Sequence, residues 1–407
     1  MIKVMVIGAG IYQLPLIKYA ASCADVLVAA PEISDEIKAM AYKTCYTDVR
    51  DKDKILEFAK SEKIDAVITD QTDIPVETVA YVAEKLGLPG NDPEVIALFT
   101  DKFKMREKCK ELNIPVVEYK LVRDKEEAVE FFRSLGRTVI IKPVDNQGSR
   151  GIAKIETEEQ LSESFDRAKS CSKSGCVLIE RYIVGREFVA EGMAVDHKFK
   201  NLICGDTLYF KSVKSFSANM RVFPTDVDTK TKERILERNK AIVEGFGLKQ
   251  GITHSEFIMD EDGEIYLLET AARGGGVHIS SDLISIKTGL NTEKFLLDIA
   301  MGNIKELPKT EDRDLTCGYA AFYLPKGEVE SIDGLSGLDK LPFVKNHICN
   351  TIYCGKKIGD NTDKTTRFSI IIEAKNREQF YAYRKQLIEL LKIRVRTKDG
   401  YAYPIWE

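Results

Sequence analysis

The sequence predicts a protein of α/β and α+β domains, and three stretches carry this prediction. In residues 1–97, short β-prone runs alternate with helix-like segments, which is the pattern of a parallel sheet covered by helices. In residues 253–278, two β-prone runs flank an Asp-Gly step, which predicts an antiparallel hairpin. Beyond Pro308, short strands and glycine turns surround one helix, residues 377–391, which indicates a smaller α+β domain.

Length and composition limit the class of protein. The 407 residues, 44% hydrophobic and 30% charged, can bury sizeable cores and predict two or three domains. A formal net charge of −4 gives no general basic field, so the composition does not favour nucleic acid as a partner. The sequence has no apolar run near the roughly 18 residues of a membrane span. We therefore expect neither nucleic acid nor a membrane as partner.

The cysteines predict free thiols. Nine cysteines are scattered without a Cys-x-x-Cys motif, and only four histidines are present. The pairs Cys171/Cys176 and Cys349/Cys354 lack the second pair or the histidines of a zinc site, so free thiols are favoured over a metal site. A strand-like run begins at Ile2, so no signal peptide is expected. Together these features predict a reducing, cytoplasmic location.

The first 97 residues predict alternating strands and helices. The strands are expected at residues 3–7, 26–29 and 66–69, and the helices at residues 13–21, 51–62 and 76–85. Gly8-Ala9-Gly10 follows the first strand and opens a helix, as in a dinucleotide fingerprint, but Gln13 stands at the third glycine position. Tight packing of this turn, or a small ligand there, is favoured over NAD binding, which stays open as an alternative.

The helix predicted over residues 101–112 has a lysine, Lys102, at an unusual position in its first turn. Residues 88–93 are rich in breakers and mark a domain boundary before it. Thr100 or Asp101 is the expected cap, and Lys102 lies in the first turn, where the helix dipole prefers anions. The position costs little on a solvated surface, and it is also explained if Lys102 holds a phosphate.

Residues 138–155 predict a strand, a glycine-containing turn and a returning strand. Lys142 lies at the end of the first strand, next to the turn, and the backbone amides of the turn could bind phosphates. The turn joins two strands, and the chain has no Gly-x4-Gly-Lys-Ser/Thr motif, so this is not a P-loop. A surface hairpin without a ligand is the alternative.

A further strand is predicted over residues 177–183. It contains a carboxylate, Glu180, followed by an apolar edge, a combination that suits recognition of an adenine. The chain turns at Gly185 and returns as another strand. A charged amphipathic helix over residues 228–247 then leads into the hairpin.

The hairpin combines residues with the chemistry of a metal and phosphate site. Its fold-back places Glu256 near Glu269, and two adjacent carboxylates repel unless a cation lies between them. Oxygen ligands of this kind suit Mg²⁺, which takes its other ligands from water and substrate phosphates. Arg273 could reach a phosphate or carboxylate, and the glycines at 274–276 let backbone amides approach an anion. An ordinary hairpin with solvated acids is the alternative.

Taken together, these motifs resemble the ATP-grasp superfamily of carboxylate-amine ligases. The resemblance covers nearly the whole chain and is nearest to phosphoribosylglycinamide synthetase, the carbamoyl-phosphate synthase large subunit and L-amino-acid ligase-like proteins. It implies a Rossmann-like pre-ATP-grasp domain over residues 1–97, and an ATP-grasp domain over residues 98–307 with a small lid over about 115–183. A C-terminal α+β domain would follow over residues 308–407.

The resemblance also implies roles for individual residues. Lys102, Lys142 and Arg273 would be the catalytic cations, and both lysines would also bind ATP. Glu256 and Glu269 would hold magnesium. The other implied nucleotide contacts are Gln147, Gly148, Ser149, Arg150 and Gly151 in the glycine loop, Glu180, Arg181, Tyr182 and Ile183 at the adenine, Glu187 at the ribose, and Leu268. Ala271 stands where the family has an asparagine ligand, which leaves open whether one or two metal ions bind.

The implied reaction depends on ATP and Mg²⁺, with Mn²⁺ as a possible substitute. A carboxylate, or bicarbonate, attacks the γ-phosphate to give an acyl phosphate and ADP, and an amine then displaces phosphate. The expected partners are small-molecule carboxylates and amines, with a homodimer as a possible assembly. Two other classes stay open: a catalytically silent ATP-binding regulatory protein of the same fold, which Ala271 favours, and an NAD-dependent oxidoreductase using Gly8 and Gly10.

Overall fold

Four β-sheets organise the chain in the computed structural model, which describes residues 2–146, 148, 150–212, 216–360 and 367–407. The first sheet is parallel with helices on both faces, and the following sheets are antiparallel. This arrangement confirms the predicted mixture of α/β and α+β structure. In the described part of the chain, no helix is long and apolar enough to cross a membrane.

The first sheet has the strand order β3-β2-β1-β4. Its elements are β1 (Lys3–Ile7), α1 (Leu14–Ala21), β2 (Asp25–Ala30), α2 (Asp35–Met40), β3 (Lys43–Tyr46), α3 (Lys52–Glu62), β4 (Ala66–Ile68) and α4 (Val76–Leu86). β1 is buried on both faces, because Val4 and Val6 pack with α1 whereas Met5 and Ile7 pack with α3 and α4. The strands and helices predicted here are all present, and α2 and β3 are additional.

The glycine turn after β1 is closed by a side chain. Gln13 Oε1 accepts a hydrogen bond from the Gly10 amide at 3.1 Å, and Gln13 Nε2 donates to the Asp70 carbonyl at 2.6 Å. Gly8 has a φ of +104°, and a Cβ there would lie 3.2 Å from the Gln13 side chain. The turn therefore uses its glycines for packing, and Gln13 fills the space over which a dinucleotide would have to approach. This geometry favours the packing interpretation over NAD binding.

Two short helices follow the predicted boundary, α5 (Pro93–Thr100) and α6 (Lys102–Glu111). The Asp101 carboxylate accepts hydrogen bonds from the amides of Phe103 and Lys104 at 2.9 and 3.0 Å. Asp101 is therefore the cap of α6, and Lys102 is the first residue of the helix.

The second sheet is a separate antiparallel unit with the strand order β5-β8-β6-β7. Its elements are β5 (Tyr119–Val122), α7 (Lys125–Leu135), β6 (Val139–Pro143), β7 (Ala153–Ile155), α8 (Glu158–Cys171) and β8 (Val177–Arg181). It has its own apolar core, which includes Ile141, Phe165 and Ile179. The predicted strand-turn-strand over residues 138–155 is present as β6 and β7. The unit lies within the predicted lid, and its action as a lid stays a prediction.

The largest sheet has eight strands in the order β13-β12-β9-β10-β11-β14-β18-β16. The first part of it comprises β9 (Gly185–Val195), β10 (Lys198–Tyr209), β11 (Ala218–Phe223), α9 (Thr229–Phe246), β12 (Gly251–Asp260) and β13 (Ile265–Ala271). A π-helix over Ile279–Leu283, α10 (Ile284–Thr288) and α11 (Thr292–Ala300) follow. The C-terminal strands β14 (Thr316–Tyr323), β16 (Val344–His347) and β18 (Arg367–Ala374) continue the same sheet. The predicted boundary at 307/308 thus falls between strands of one sheet.

The remaining elements form a small antiparallel sheet, β17-β15-β19-β20, beside one long helix. They are β15 (Gly327–Asp333), a 3₁₀-helix over Leu335–Lys340, β17 (Lys357–Ile358), α12 (Arg377–Leu390), β19 (Lys392–Thr397) and β20 (Gly400–Ala402). A core of Phe322, Phe368, Phe380 and Trp406 joins this sheet and α12 to the large one. The division of the chain at residues 97 and 307 stays a prediction.

Candidate active site

The two glutamates of the hairpin face each other. β12 and β13 pair antiparallel with Glu256 opposite Glu269, and the register shifts directly after Glu256. Residues opposite each other in such a pair leave the same face of the sheet, with Cβ atoms about 5 Å apart. The predicted fold-back is therefore confirmed. The metal-binding role of the two glutamates stays a prediction.

Each of these carboxylates has a basic side chain as a partner. Lys102 Nζ lies 2.8 Å from Glu269 Oε1 and also donates to the Asn146 carbonyl at 2.7 Å. Arg221 donates from Nη2 to Glu256 Oε1. Both basic side chains are buried, so Lys102 is not a solvated surface lysine. The acidic pair is thus neutralised within the protein, as buried charges require.

A second buried cluster centres on Glu180 in β8. Its carboxylate accepts hydrogen bonds from Arg106 Nε at 2.5 Å and from Lys142 Nζ, and all three side chains are buried. Burial by itself raises the pKa of Glu180, but the charges of Arg106 and Lys142 outweigh it and hold the pKa at about 2. Arg106 Nη2 also donates to the Leu268 carbonyl at 2.8 Å, which connects α6 to β13.

The residues predicted at the adenine lie where the second sheet meets the hairpin. Ile183 forms a small buried cluster with Val117 and Ile258, and Leu268 packs against it. This cluster supplies an apolar surface of the kind that was predicted. The Glu180 carboxylate is bound by two cations, so an adenine would reach it in competition with them.

Arg181, Tyr182 and Glu187 lie at the edges of this apolar surface. Arg181 Nε is 2.7 Å from the Glu118 carboxylate, and Tyr182 is half-buried. Glu187, on β9, accepts a hydrogen bond from the Tyr209 hydroxyl on β10. Burial, followed by the charge of Glu187, raises the pKa of Tyr209 well above its ordinary value. The nucleotide contacts of these three residues stay predictions.

The glycine loop is described at three positions: Gly148, Arg150 and Gly151. The two other predicted contacts of this loop, Gln147 and Ser149, lie outside the described residues. Gly148 and Gly151 have φ values of +74° and +75°, a region that favours glycine. Arg150 is exposed, and its Nη2 donates to Asn146 Oδ1 at 3.2 Å.

Arg273 joins the hairpin to the first sheet. Its Nη2 lies 2.7 Å from Asp73, in the loop after β4, and its Nη1 donates to the Gly274 carbonyl at 2.9 Å. Burial lowers the pKa of Arg273, and the charge of Asp73 outweighs this effect and raises the pKa. Arg273 Nε is buried and makes no hydrogen bond with the described residues, so the guanidinium keeps an unused donor.

A buried row of side chains behind Glu256 holds Arg221 in place. Glu191 is completely buried and accepts hydrogen bonds from His254 Nδ1 and from the Gly275 amide, the latter at 2.9 Å. Arg221 Nη1 lies 2.8 Å from His254 Nε2. The same Nε2 lies 3.2 Å from Glu256 Oε1, so His254 contacts Glu191 with one ring nitrogen and both Arg221 and Glu256 with the other. The row thus places the imidazole of His254 between the Glu191 carboxylate and the ion pair of Arg221 with Glu256.

Sequence reasoning did not single out Arg106, Arg221, His254 or Glu191 as site residues. Arg106 lies four residues after Lys102, a spacing that puts both on one face of α6, so this signal was available. His254 shares a face of β12 with Glu256 by simple alternation. The other two residues lie on β11 and β9, and the order of strands in the sheet brings them to β12.

The donor set of the hairpin fits a magnesium ion held largely by a nucleotide. Glu256 and Glu269 supply hard oxygen ligands, and Mg²⁺ takes its remaining ligands from phosphates and water. Within the described ranges, no group of three or more His, Cys, Asp or Glu side chains is placed to hold a metal ion. Ala271 lies opposite His254 and adds no ligand. The hairpin therefore offers two carboxylates to a metal ion.

Comparison with known proteins shows which proteins this fold and site are similar to. Residues 135–282 match the family model described as ATP-grasp domain. An alanine–anticapsin ligase of Bacillus subtilis (strain 168) is 26% identical over 277 residues, which cover 63% of this chain and 58% of that protein. The chain thus spans less than two thirds of the length of this curated relative.

Solved structures extend the likeness along the chain. An L-amino acid ligase from Bacillus licheniformis has a TM-score of 0.81 at 19% identity, covering 98% of this chain and 99% of that one. The biotin carboxylase domain of Hydrogenobacter thermophilus 2-oxoglutarate carboxylase, solved with magnesium ADP and bicarbonate, has a TM-score of 0.76 at 18% identity, with coverage of 96% and 90%. The match of residues 135–282 to an ATP-grasp domain confirms the resemblance seen in the motifs. Its overall fold is shared with the L-amino acid ligase and the biotin carboxylase.

Substituting Gly275 with alanine should destabilise the row behind Glu256. A Cβ at Gly275 would lie 2.7 Å from Glu191 Oε1 and 3.0 Å from His254 Nδ1. Overpacking of this kind lowers the free energy of unfolding by about 1–3 kcal/mol, measured by urea denaturation. Gly276→Ala is the control, because its Cβ would meet its nearest atom at 3.4 Å. Equal losses in both variants would contradict the close packing at Gly275.

Glu180→Gln should leave two buried cations without a full counter-charge and lower the free energy of unfolding by about 3–5 kcal/mol at neutral pH. The pKa of Glu180 is lowered from 4.5 to about 2 in the folded state, so its contribution is present above pH 4.5 and is lost as the pH falls towards 2. Urea unfolding between pH 7 and 3 should therefore show a shallower loss of stability in the variant. Glu261→Gln is the control: Glu261 is exposed, so this variant should show the same pH dependence of stability as the unmodified protein. An unchanged pH dependence in Glu180→Gln would exclude the buried ion cluster.

Proposed function

We propose that the chain is an ATP- and Mg²⁺-dependent ligase that activates a small-molecule carboxylate, or bicarbonate, as an acyl phosphate and joins it to an amine. ADP and phosphate are the other products. The facing pair Glu256 and Glu269, with a cation beside each carboxylate, carries the proposal, because phosphoryl transfer from a magnesium nucleotide needs such positioned charges. The ATP-grasp domain and the ligases that share the fold support it.

The proposed reaction has two steps. A carboxylate oxygen of the acid attacks the γ-phosphorus, an O–P bond forms, and the bond to the β–γ bridging oxygen breaks to release ADP. The amine nitrogen then attacks the acyl carbon, phosphate leaves with the bonding electron pair, and the amine loses a proton. The phosphoryl oxygens carry the charge of the first transition state, so each well-placed cation contributes roughly 10²- to 10³-fold in rate.

Lys102, Lys142 and Arg273 are the cations that we assign to this charge. Each is held by a carboxylate of the protein, which fixes the side chain before the reaction and reduces the cost of ordering it. Glu256 and Glu269 would hold Mg²⁺, which neutralises the β- and γ-phosphates when bound. Closure of the second sheet over the site would keep water from the acyl phosphate.

The nucleotide base is assigned to the apolar surface that Ile183 and Leu268 share. Glu187 is assigned to the ribose, since it lies on β9, the strand that follows this surface in the chain. The described glycines of the loop between β6 and β7 adopt backbone conformations that can present amides to phosphate oxygens. Contact between Glu180 and the adenine requires the carboxylate to reach beyond Arg106 and Lys142.

The two other functions have less support. The comparisons provide no support for a catalytically silent regulatory protein, since the relatives and structural neighbours reported above are ligases or a carboxylase. The NAD-dependent oxidoreductase is disfavoured by Gln13, which closes the glycine turn. Three finer points belong to the proposal: Mn²⁺ as a substitute that accepts the same oxygen ligands, a homodimer, and a cytoplasmic location favoured by nine free cysteines.

The product nucleotide should be ADP. The protein is incubated with Mg-ATP, a panel of small carboxylic acids and hydroxylamine, which replaces the unknown amine. For the correct acid, attack on the γ-phosphorus should give a hydroxamate and an equal amount of ADP, separated by ion-exchange chromatography. AMP with pyrophosphate would show attack on the α-phosphorus and would refute the acyl-phosphate mechanism.

Glu269→Gln should lower turnover at least about 100-fold, because one of the two carboxylates that we assign to the metal is lost. Calorimetric titration with Mg-ATP should also show weaker binding, and circular dichroism should show an intact fold. Asp262→Asn, in the exposed turn of the same hairpin, is the matched control and should keep both activity and binding. Ordinary turnover by Glu269→Gln would show that the metal lies elsewhere.

A further inference from the structure

Arg367, the first residue of β18, is a buried arginine without an acidic partner in the described part of the chain. It is 8% exposed, and its one hydrogen bond there runs from Nη1 to the Ala218 carbonyl. The other arginines that are at least nine-tenths buried, Arg106, Arg221 and Arg384, each pair with a glutamate. Arg367 is therefore the exception in this group.

Arg367 lies on the same face of the large sheet as the candidate active site. It is opposite Tyr323 in the register of β14 and β18, and its guanidinium carbon lies 5.4 Å from the centre of the Tyr319 ring. Tyr319 and Tyr323 are four residues apart on one strand, so they share a face. Tyr319 is in turn opposite Arg221, which bonds Glu256. One tyrosine thus separates Arg367 from the arginine beside Glu256.

Tyr12, in the loop between β1 and α1, lies within the range at which the charge of Arg367 acts on its hydroxyl. Burial raises the pKa of the Tyr12 hydroxyl, and the positive charge of Arg367 acts against this increase. The Tyr12 ring also makes an edge contact with the His278 ring at 5.9 Å. Among the described residues, the neighbours of Arg367 are therefore aromatic rings, which bring no negative charge.

A buried guanidinium that has no acidic partner among the described residues favours binding of an anion. Burying a charge without a counter-ion is costly, and the face of Tyr319 offsets part of this cost. Arg367 is 8% exposed and uses Nη1 in its one hydrogen bond with the described residues, so its other nitrogens keep donor capacity for a ligand. A carboxylate matches them best, because it can accept two parallel hydrogen bonds from a guanidinium.

We propose that Arg367 binds a second carboxylate, one that is carried by a substrate and retained in the product. This inference rests on the proposed ligase function and specifies its substrates: either the amine is an amino acid, or the activated acid is a dicarboxylic acid. The retained carboxylate lies at Arg367 while the reacting groups lie beyond Tyr319, at Arg221 and Glu256. No bond of the retained group changes, so it determines affinity and not the chemistry.

The test compares each substrate with its carboxamide analogue in the unmodified protein, Arg367→Gln, Arg367→Lys and Arg384→Gln. In the unmodified protein, converting the retained carboxylate to an amide should raise KM about 10- to 100-fold with a smaller effect on kcat. Arg367→Gln should raise KM for the carboxylate form by a similar factor and remove the preference over the amide. Arg367→Lys should restore part of the preference. Arg384→Gln should keep the full preference, since Arg384 is also buried but pairs with Glu407.

Hydroxylamine assays distinguish the two carriers of the carboxylate. If the amine carries it, Arg367→Gln forms hydroxamate as the unmodified protein does and loses affinity for the amino acid. If the acid carries it, hydroxamate formation also needs a higher acid concentration. An unchanged preference for carboxylate over amide in both Arg367 variants, for both substrates, overturns the proposal. If Arg367→Gln does not fold, Arg367→Lys decides the question. A lower ratio of the carboxamide KM to the carboxylate KM than in the unmodified protein supports the proposal, and an unchanged ratio shows that residue 367 has only a structural role.

A binding measurement keeps this inference separate from the ligase proposal. Malonate, a small dicarboxylate, should raise the Tm of the unmodified protein and of Arg384→Gln, and should raise the Tm of Arg367→Gln or Arg367→Lys less. Absence of ADP formation with every acid refutes the ligase function without touching this result. Equal Tm shifts in all four proteins refute the anion site, whatever the outcome of the assays.

Discussion

Charge balance in a buried space is the constraint on which this structure depends. Acidic and basic side chains from α6, β6, β8, β11 and the β12–β13 hairpin meet where the second sheet approaches the eight-stranded sheet, and the acids contact bases. Removing one member of such a pair leaves an uncompensated charge that costs about 3–5 kcal/mol. The ion pair between Lys102 and Glu269 therefore fixes α6 on the hairpin, and the pair between Arg273 and Asp73 fixes the hairpin on the first sheet.

Lys102 shows how this constraint overrides a local preference. A lysine in the first turn of a helix opposes the dipole at a cost of about 0.3–1 kcal/mol. The ion pair between the Lys102 ammonium group and Glu269 offsets this cost, and Asp101 supplies the negative cap that the helix end prefers. A residue that looks misplaced within its helix is thus well placed within the site, which is the usual sign of a functional position.

The parts of the fold and site that could be predicted have local signals. The hairpin follows from an Asp-Gly step between β-prone runs, and the pairing of Glu256 with Glu269 follows from the hairpin. Arg221 and Glu191 could not be predicted in this way, because β11 and β9 reach β12 only through the order of strands in an eight-stranded sheet. The continuation of that sheet by β14, β16 and β18 was missed for the same reason, since a change in composition near Pro308 does not reveal strand pairing.

In the proposed function, the alanine at position 271 shifts metal binding towards the nucleotide. With Ala271 the hairpin offers two carboxylates, and both are already neutralised, by Lys102 and by Arg221, which also contacts His254. A free Mg²⁺ ion would have to give up hydration for ligands whose charge is already shared, and Mg²⁺ loses water reluctantly. A magnesium ion that arrives with ATP brings phosphate ligands with it, and the phosphates in turn attract the two cations. For the proposed function, the same charge balance that stabilises the fold therefore favours the metal–nucleotide complex over either component alone.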